Sequence, residues 1–259
     1  MPHRPFVSPV FARGLWVALV LTMSAGCAGL LGSSERAPID IATRFLPVPA
    51  TVPPVDSLHH VQLQPEAERI RIQSDTPLGH LKQVWSSGYR ARRGNDGLLE
   101  AGRMRSFATL WSRELRLLAL NGQMSIGAYP REDAEQLIAR RVDAPHATSI
   151  LIDVHVYMDR ARQNNYGATN LRSARWDIFL RTDSGVEIAP DSIDATWARP
   201  MTWSNDERAQ YRHNTLYFPR TKNDTADVLH SVETLELHIR DATLATDLLF
   251  GWRFKETRS

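Results

Sequence analysis

The chain has 259 residues, 31 Lys and Arg against 29 Asp and Glu, 42% hydrophobic residues and a single cysteine. This is an ordinary globular composition. One cysteine excludes an internal disulfide framework, so the fold must rest on its apolar core. The near balance of charge argues against a general nucleic-acid binder.

The first informative stretch runs from Gly14 to Cys27. Arg4 and Arg13 precede it, about a dozen apolar or small residues form it, and Ser24-Ala25-Gly26 lead into Cys27. A positive start, a short apolar run and small residues at the end describe a secretory signal. The run is shorter than the roughly 20 apolar residues that a spanning helix needs. Leu21 to Cys27 resembles the lipobox of bacterial lipoproteins, with Ser24 where the family usually has Leu. The resemblance implies cleavage before Cys27, a diacylglyceryl thioether on its sulfur and an acylated new amino terminus. Ala28 follows where an aspartate would favour inner-membrane retention, which points to the outer membrane, on its periplasmic face or exposed at the surface. Without residues 1–26 the chain carries 29 basic and 29 acidic side chains.

Residues 27–57 read as the lipidated cysteine and a tether. Pro38, Pro47, Pro49, Pro53 and Pro54 oppose helix and central strand, and a flexible segment of this length spans about 30 Å. Ile39, Ile41, Phe45 and Leu46 could instead pack on the domain. Residues 58–73 are weakly strand-like, with Val61 alternating with Leu63 and Ile70 with Ile72. Residues 76–87 suit a short helix. The clearest helical pattern spans Leu98 to Leu120, where Met104, Phe107, Ala108, Trp111, Leu115 and Leu118 recur at helical spacing. Asn121-Gly122 supplies its stop, and a further helix is predicted from Pro130 to Arg141.

After Pro145 the period changes to two. Ile150, Ile152, Val154 and Val156 alternate with Leu151, Asp153, His155 and Tyr157, as in a strand with one buried face. Further strand signals surround Trp176 to Leu180, Val186 to Ile188, Ile193 to Ala198, Thr215 to Phe218, Leu235 to Ile239 and Leu248 to Phe254. Residues 199–213 read as polar and irregular. About seven short strands suggest an antiparallel sandwich. The predicted fold is α+β: a mainly helical region, 58–145, packed on a C-terminal β-sandwich, 146–259, with an immunoglobulin-like arrangement as first choice.

Few residues carry a chemical signal. Asp153 and His155 share a strand face with Tyr157 and form a weak metal or acid–base candidate. A solvated or covered polar face is the commoner use of such a pattern. The most distinctive concentration is basic and aromatic: Arg90, Arg92, Arg93, Arg103 and Arg105 with Trp85 and Tyr89. In an anchored protein, such a patch suits anionic head groups or an acidic partner. His59-His60 lacks further ligands at metal-binding spacing. No catalytic motif is present, no cofactor is called for, and Cys27 is no nucleophile once lipidated. The expected function is a non-catalytic binding or assembly module with an envelope protein partner, held at the membrane by its lipid. The alternatives are an envelope glycan or peptidoglycan hydrolase, which needs two carboxylates in one cleft, and an accessory subunit of an envelope complex.

Overall fold

The computed structural model describes residues 35–36, 46–91, 104–159, 170–202, 208–222, 226–241 and 247–255. The chain divides into two units, Met1–Glu35 and Arg36–Ser259. The second unit is mixed α and β, with more strand than helix.

In chain order, β1 is Ala50–Val52, and β2 and β3 are Val61–Pro65 and Ile70–Ser74. Helix α1 (Leu78–Val84) leads to β4 (Ser86–Gly88), β5 (Arg90–Ala91) and β6 (Met104–Leu110). Helix α2 is Arg113–Met124 and α3 is Arg131–Ile138, which continues as π-helix over Ala139–Asp143 and as α-helix over Ala144–Thr148. Then come β7 (Ser149–Asp159), β8 (Trp176–Thr182), β9 (Glu187–Ile188), β10 (Ser192–Ala195), β11 (Arg199–Thr202) and β12 (Arg208–Pro219). The chain closes with β13 (Thr221–Lys222), β14 (Ala226–Asp227), β15 (Thr234–Asp241) and β16 (Asp247–Phe254).

The first sheet runs in the order β11–β12–β7–β6–β4, and β10 pairs with β12 beside β11. The second runs β9–β8–β15–β16–β1, with β5 also on β16. Ile152, Val154 and Leu216 of the first sheet belong to the same buried cluster as Leu180, Leu237 and Phe250 of the second. Alternation puts these residues on one face of each strand, so one apolar core is shared by both sheets and by Leu115, Leu117 and Leu120 of α2. The turn into β9 works because Gly185 takes φ +81°, a left-handed conformation that a side chain would strain.

Three expectations are corrected. The region 58–145 is not mainly helical, because β2, β3, β4 and β6 lie within it. Of the helix expected over 98–120, the described residues from 104 onward form a strand followed by a helix. Residues 104–110 also alternate: Ala108 and Leu110 enter the shared core while Phe107 faces the other way. Antiparallel pairing with β7 along its length decides in favour of the strand. Ser112 then starts α2 by accepting a hydrogen bond from Leu115 N, and the helix passes Asn121-Gly122 to end at Ser125, whose φ is +49°.

The tether is also shorter than expected. Ala50 and Val52 are fully buried, and β1 pairs in parallel with β16. Leu46 is buried too, whereas Ile39, Ile41 and Phe45 lie outside the described residues. A side chain at Gly251 would meet Pro49 Cβ at 3.1 Å, so glycine on β16 admits this segment.

Asp56 fastens the end of the segment. Arg220 donates to it through both terminal nitrogens, at 2.9 and 2.6 Å, and His146 Nε2 lies 2.7 Å from Oδ1. The same guanidinium reaches Asp227 and the His146 carbonyl. The hydrogen bond from His146, aided by Arg220 against the cost of burial, holds the Asp56 carboxyl well below the usual range. Folding therefore lowers this pKa, and the unfolded chain takes up the proton first as pH falls through about 4. The stabilisation is full above that pH and is lost below it. Acid titration of unfolding should show a shallower loss of stability below pH 4 for Asp56→Asn than for the native chain. An unchanged slope would remove Asp56 from the acid response.

Candidate functional site

Strand register builds the principal candidate. His155 on β7 stands opposite His213 on β12, Asp153 opposite Thr215, and Tyr157 opposite Tyr211. On the other flank Phe107 of β6 stands opposite His155. Residues two apart share a face, so these side chains make a continuous polar and aromatic surface on the side of the first sheet away from the core.

The rings stack in order. Phe107 and His155 have centroids 4.4 Å apart, and His155 and His213 4.7 Å, with interplanar angles of 16° and 12°. Tyr157 and Tyr211 lie 5.0 Å apart beside them. Leu46 and Met201 pack against Phe107, Tyr157 and Tyr211, so part of this face is covered. His213 keeps 29% side-chain exposure and marks the open part.

Asp153 is the buried anion of the group. Trp111 Nε1 donates to Oδ2 at 2.7 Å, Thr215 Oγ1 donates to Oδ1 at 2.9 Å, and His213 Nε2 lies 2.9 Å from Oδ1. Burial pushes its pKa up, but His213, with smaller help from His155 and the Trp111 indole, outweighs burial and keeps it below the ordinary value. Burial lowers His155 to about 3, helped by His213, so this imidazole is neutral at ordinary pH. Its Nδ1 lies 2.8 Å from the Tyr211 hydroxyl. Burial raises the Tyr157 phenol well above its usual value, keeping it protonated.

The sequence pointed to Asp153, His155 and Tyr157 on one face, and the structure places them there. It adds His213, from a stretch the sequence offered only as polar and irregular, together with Tyr211, Thr215, Phe107 and Trp111. A signal for them existed: Tyr211, His213 and Thr215 alternate just as Asp153, His155 and Tyr157 do.

Of the basic and aromatic patch, Trp85 departs from its expected surface role. Trp85 is fully buried, donates through Nε1 to Glu114 at 2.8 Å, and accepts a hydrogen bond on its carbonyl from Trp252 Nε1 at 2.9 Å. It therefore offers nothing to a head group. Tyr89 is half-buried against the core. Arg105 sits on β6 opposite Tyr157, and Arg90 pairs through its backbone with Leu249. Arg92, Arg93 and Arg103, and Cys27, lie outside the described residues. His59 and His60 meet edge to face, and the His60 backbone amide donates to Glu114.

A separate cleft of about 300 Å³ is lined by Pro54, Asp56, Ser231, Glu233, Phe254 and Lys255, among others. Of its two carboxylates, Asp56 is committed to Arg220 and held ionised, a poor match to a glycosidase acid.

One surface feature was not singled out from the sequence. Trp197, between β10 and β11, is 89% exposed. Its neighbour Thr196 is fixed to β12: its backbone NH donates to the His213 carbonyl at 2.9 Å, and His213 N donates to Thr196 Oγ1 at 3.1 Å. The indole thus projects from a fixed point on the sheet. Beyond β12, β10 has no further strand partner among the described residues.

Comparisons with protein-family models, with curated proteins and with solved structures return no match.

Proposed function

We propose that the chain is an envelope lipoprotein, anchored through Cys27 at the periplasmic face of the outer membrane, whose folded unit is a non-catalytic binding module for an envelope protein. Exposure of Trp197 carries this reading. A tryptophan left almost wholly in water, on backbone pinned by β12, is costly to the free protein and is the residue type most enriched at binding hot spots. The side of β10 away from β12, which has no strand partner among the described residues, suits an added strand from a partner. Two sheets on one core support the finer sandwich reading, whose loops and edges serve such modules. Among the described residues no helix is long and apolar enough to cross a membrane. Attachment through the N-terminal lipid is the corresponding proposal.

The test places a photoreactive residue at position 197 of the full chain in intact envelopes, with exposed Glu132 as the control position. A discrete protein adduct from 197 and none from 132 is expected. Trp197→Ser should weaken capture of that partner by about 30-fold or more, the value of a hot-spot residue, while shifting unfolding by less than about 0.5 kcal/mol. Adducts to lipid alone would instead make the indole a membrane contact, and equal labelling from both positions would defeat the reading.

A further inference from the structure

We infer that Asp153, His155 and His213 form a binding site for a divalent transition metal of the zinc class. Their ligand atoms already lie within 4.8 Å of one another. Zinc takes imidazole nitrogen and carboxylate oxygen at about 2.0–2.2 Å, so neighbouring ligands around a tetrahedral ion stand about 3.3–3.6 Å apart. Asp153 Oδ1 and His213 Nε2, at 2.9 Å, are close to that separation. The widest gap in the trio, within 4.8 Å, closes to that separation with a relative shift of about 1.2–1.5 Å.

The outer contacts fit the same role. A metal-bound histidine normally has its second ring nitrogen held by a neighbour, which fixes the ring and its tautomer. The Tyr211 hydroxyl holds His155 Nδ1 in this way, leaving Nε2 for an ion. Trp111 orients the carboxylate through Oδ2, leaving Oδ1 towards the histidines. Two imidazoles and one carboxylate form a donor set that suits zinc, with a further position open to water or to a donor from a bound partner. The exposed edge of His213 gives an ion its entry. The same contacts would also serve as a plain hydrogen-bonded ion pair between Asp153 and His213, and metal titration separates the two.

The experiment uses the full chain, purified in detergent, stripped with a chelator and titrated with zinc chloride by calorimetry and with cobalt chloride by visible absorption. Expected are one zinc per chain, with Kd in the micromolar range or below, and the ligand-field bands of a cobalt ion bound by nitrogen and oxygen. His213→Ala and His213→Gln should each weaken binding at least about tenfold. The glutamine variant keeps a polar side chain at this partly exposed position, and circular dichroism confirms that both variants fold. A chain with His59→Ala and His60→Ala, and one with Cys27→Ser, should bind as the native chain does. Absence of stoichiometric zinc and cobalt binding, binding that survives both His213 variants, or binding lost with the His59 and His60 pair would each overturn the site. None of these results bears on Trp197, so the binding-module reading stands or falls separately.

Discussion

Replacing Glu114 with alanine should lower the unfolding free energy by about 2–6 kcal/mol, the cost of leaving two buried donors without an acceptor. Glu114 sits in the first turn of α2 and is fully buried. One carboxylate oxygen accepts from Trp85 Nε1 and the other from the His60 backbone amide, both at 2.8 Å. Trp85 in turn accepts from Trp252 on β16, so the carboxylate joins α2, the segment before β2 and the second sheet. Alanine would leave both donors unmatched, at about 1–3 kcal/mol each. For a folded unit of this size the midpoint should fall by about 10 °C. Glu114→Gln keeps one acceptor oxygen but turns an amide NH₂ toward the other donor, so it should fall between the native chain and alanine. Thermal and denaturant unfolding followed by circular dichroism measures both variants. A loss under about 1 kcal/mol for alanine would show that water reaches Trp85.

The second large effect is on location. On the proposed lipoprotein reading, Cys27→Ser should abolish lipid attachment, because serine lacks the thiol that would form the thioether. Stable anchoring takes more than one acyl chain, so on that reading the variant would keep nothing comparable. The expected product is an unlipidated precursor absent from the mature outer-membrane pool. Fractionation with immunodetection reads the result. A variant that still fractionates as a mature outer-membrane protein would defeat the lipobox reading. Folding of the described unit should be unaffected, since no part of it needs a cysteine.

The sequence made some elements legible and hid others for physical reasons. In β7, β15 and β16 apolar residues alternate because one face of each enters the shared core, and period two shows this directly. β6 was hidden because Met104, Phe107, Ala108 and Trp111 also fit helical spacing. Only the partner strand β7, far along the chain, decides between the two patterns. The first half of β12 was hidden because Tyr211, Arg212 and His213 give no apolar alternation. Its register with β7 supplies the strand instead. The prolines of residues 46–57 suggest a free tether, yet a short parallel strand fits there against β16 beside a glycine.

The candidate site divides in the same way. Asp153, His155 and Tyr157 could be read from one strand. Tyr211 and His213 alternate in the same way, but only the pairing of β12 with β7 brings them beside Asp153 and His155. Trp85 shows the converse error: next to basic residues it looked like a surface aromatic, yet its indole and carbonyl are both engaged inside the fold.

The most direct test of lipid anchoring is intact and peptide mass spectrometry of the native protein isolated from outer membranes. The expected result is a mature chain beginning at Cys27 and carrying a diacylglyceryl group on sulfur with an acylated amino terminus. A mature chain with a different amino terminus, or with an unmodified Cys27 thiol, would contradict it.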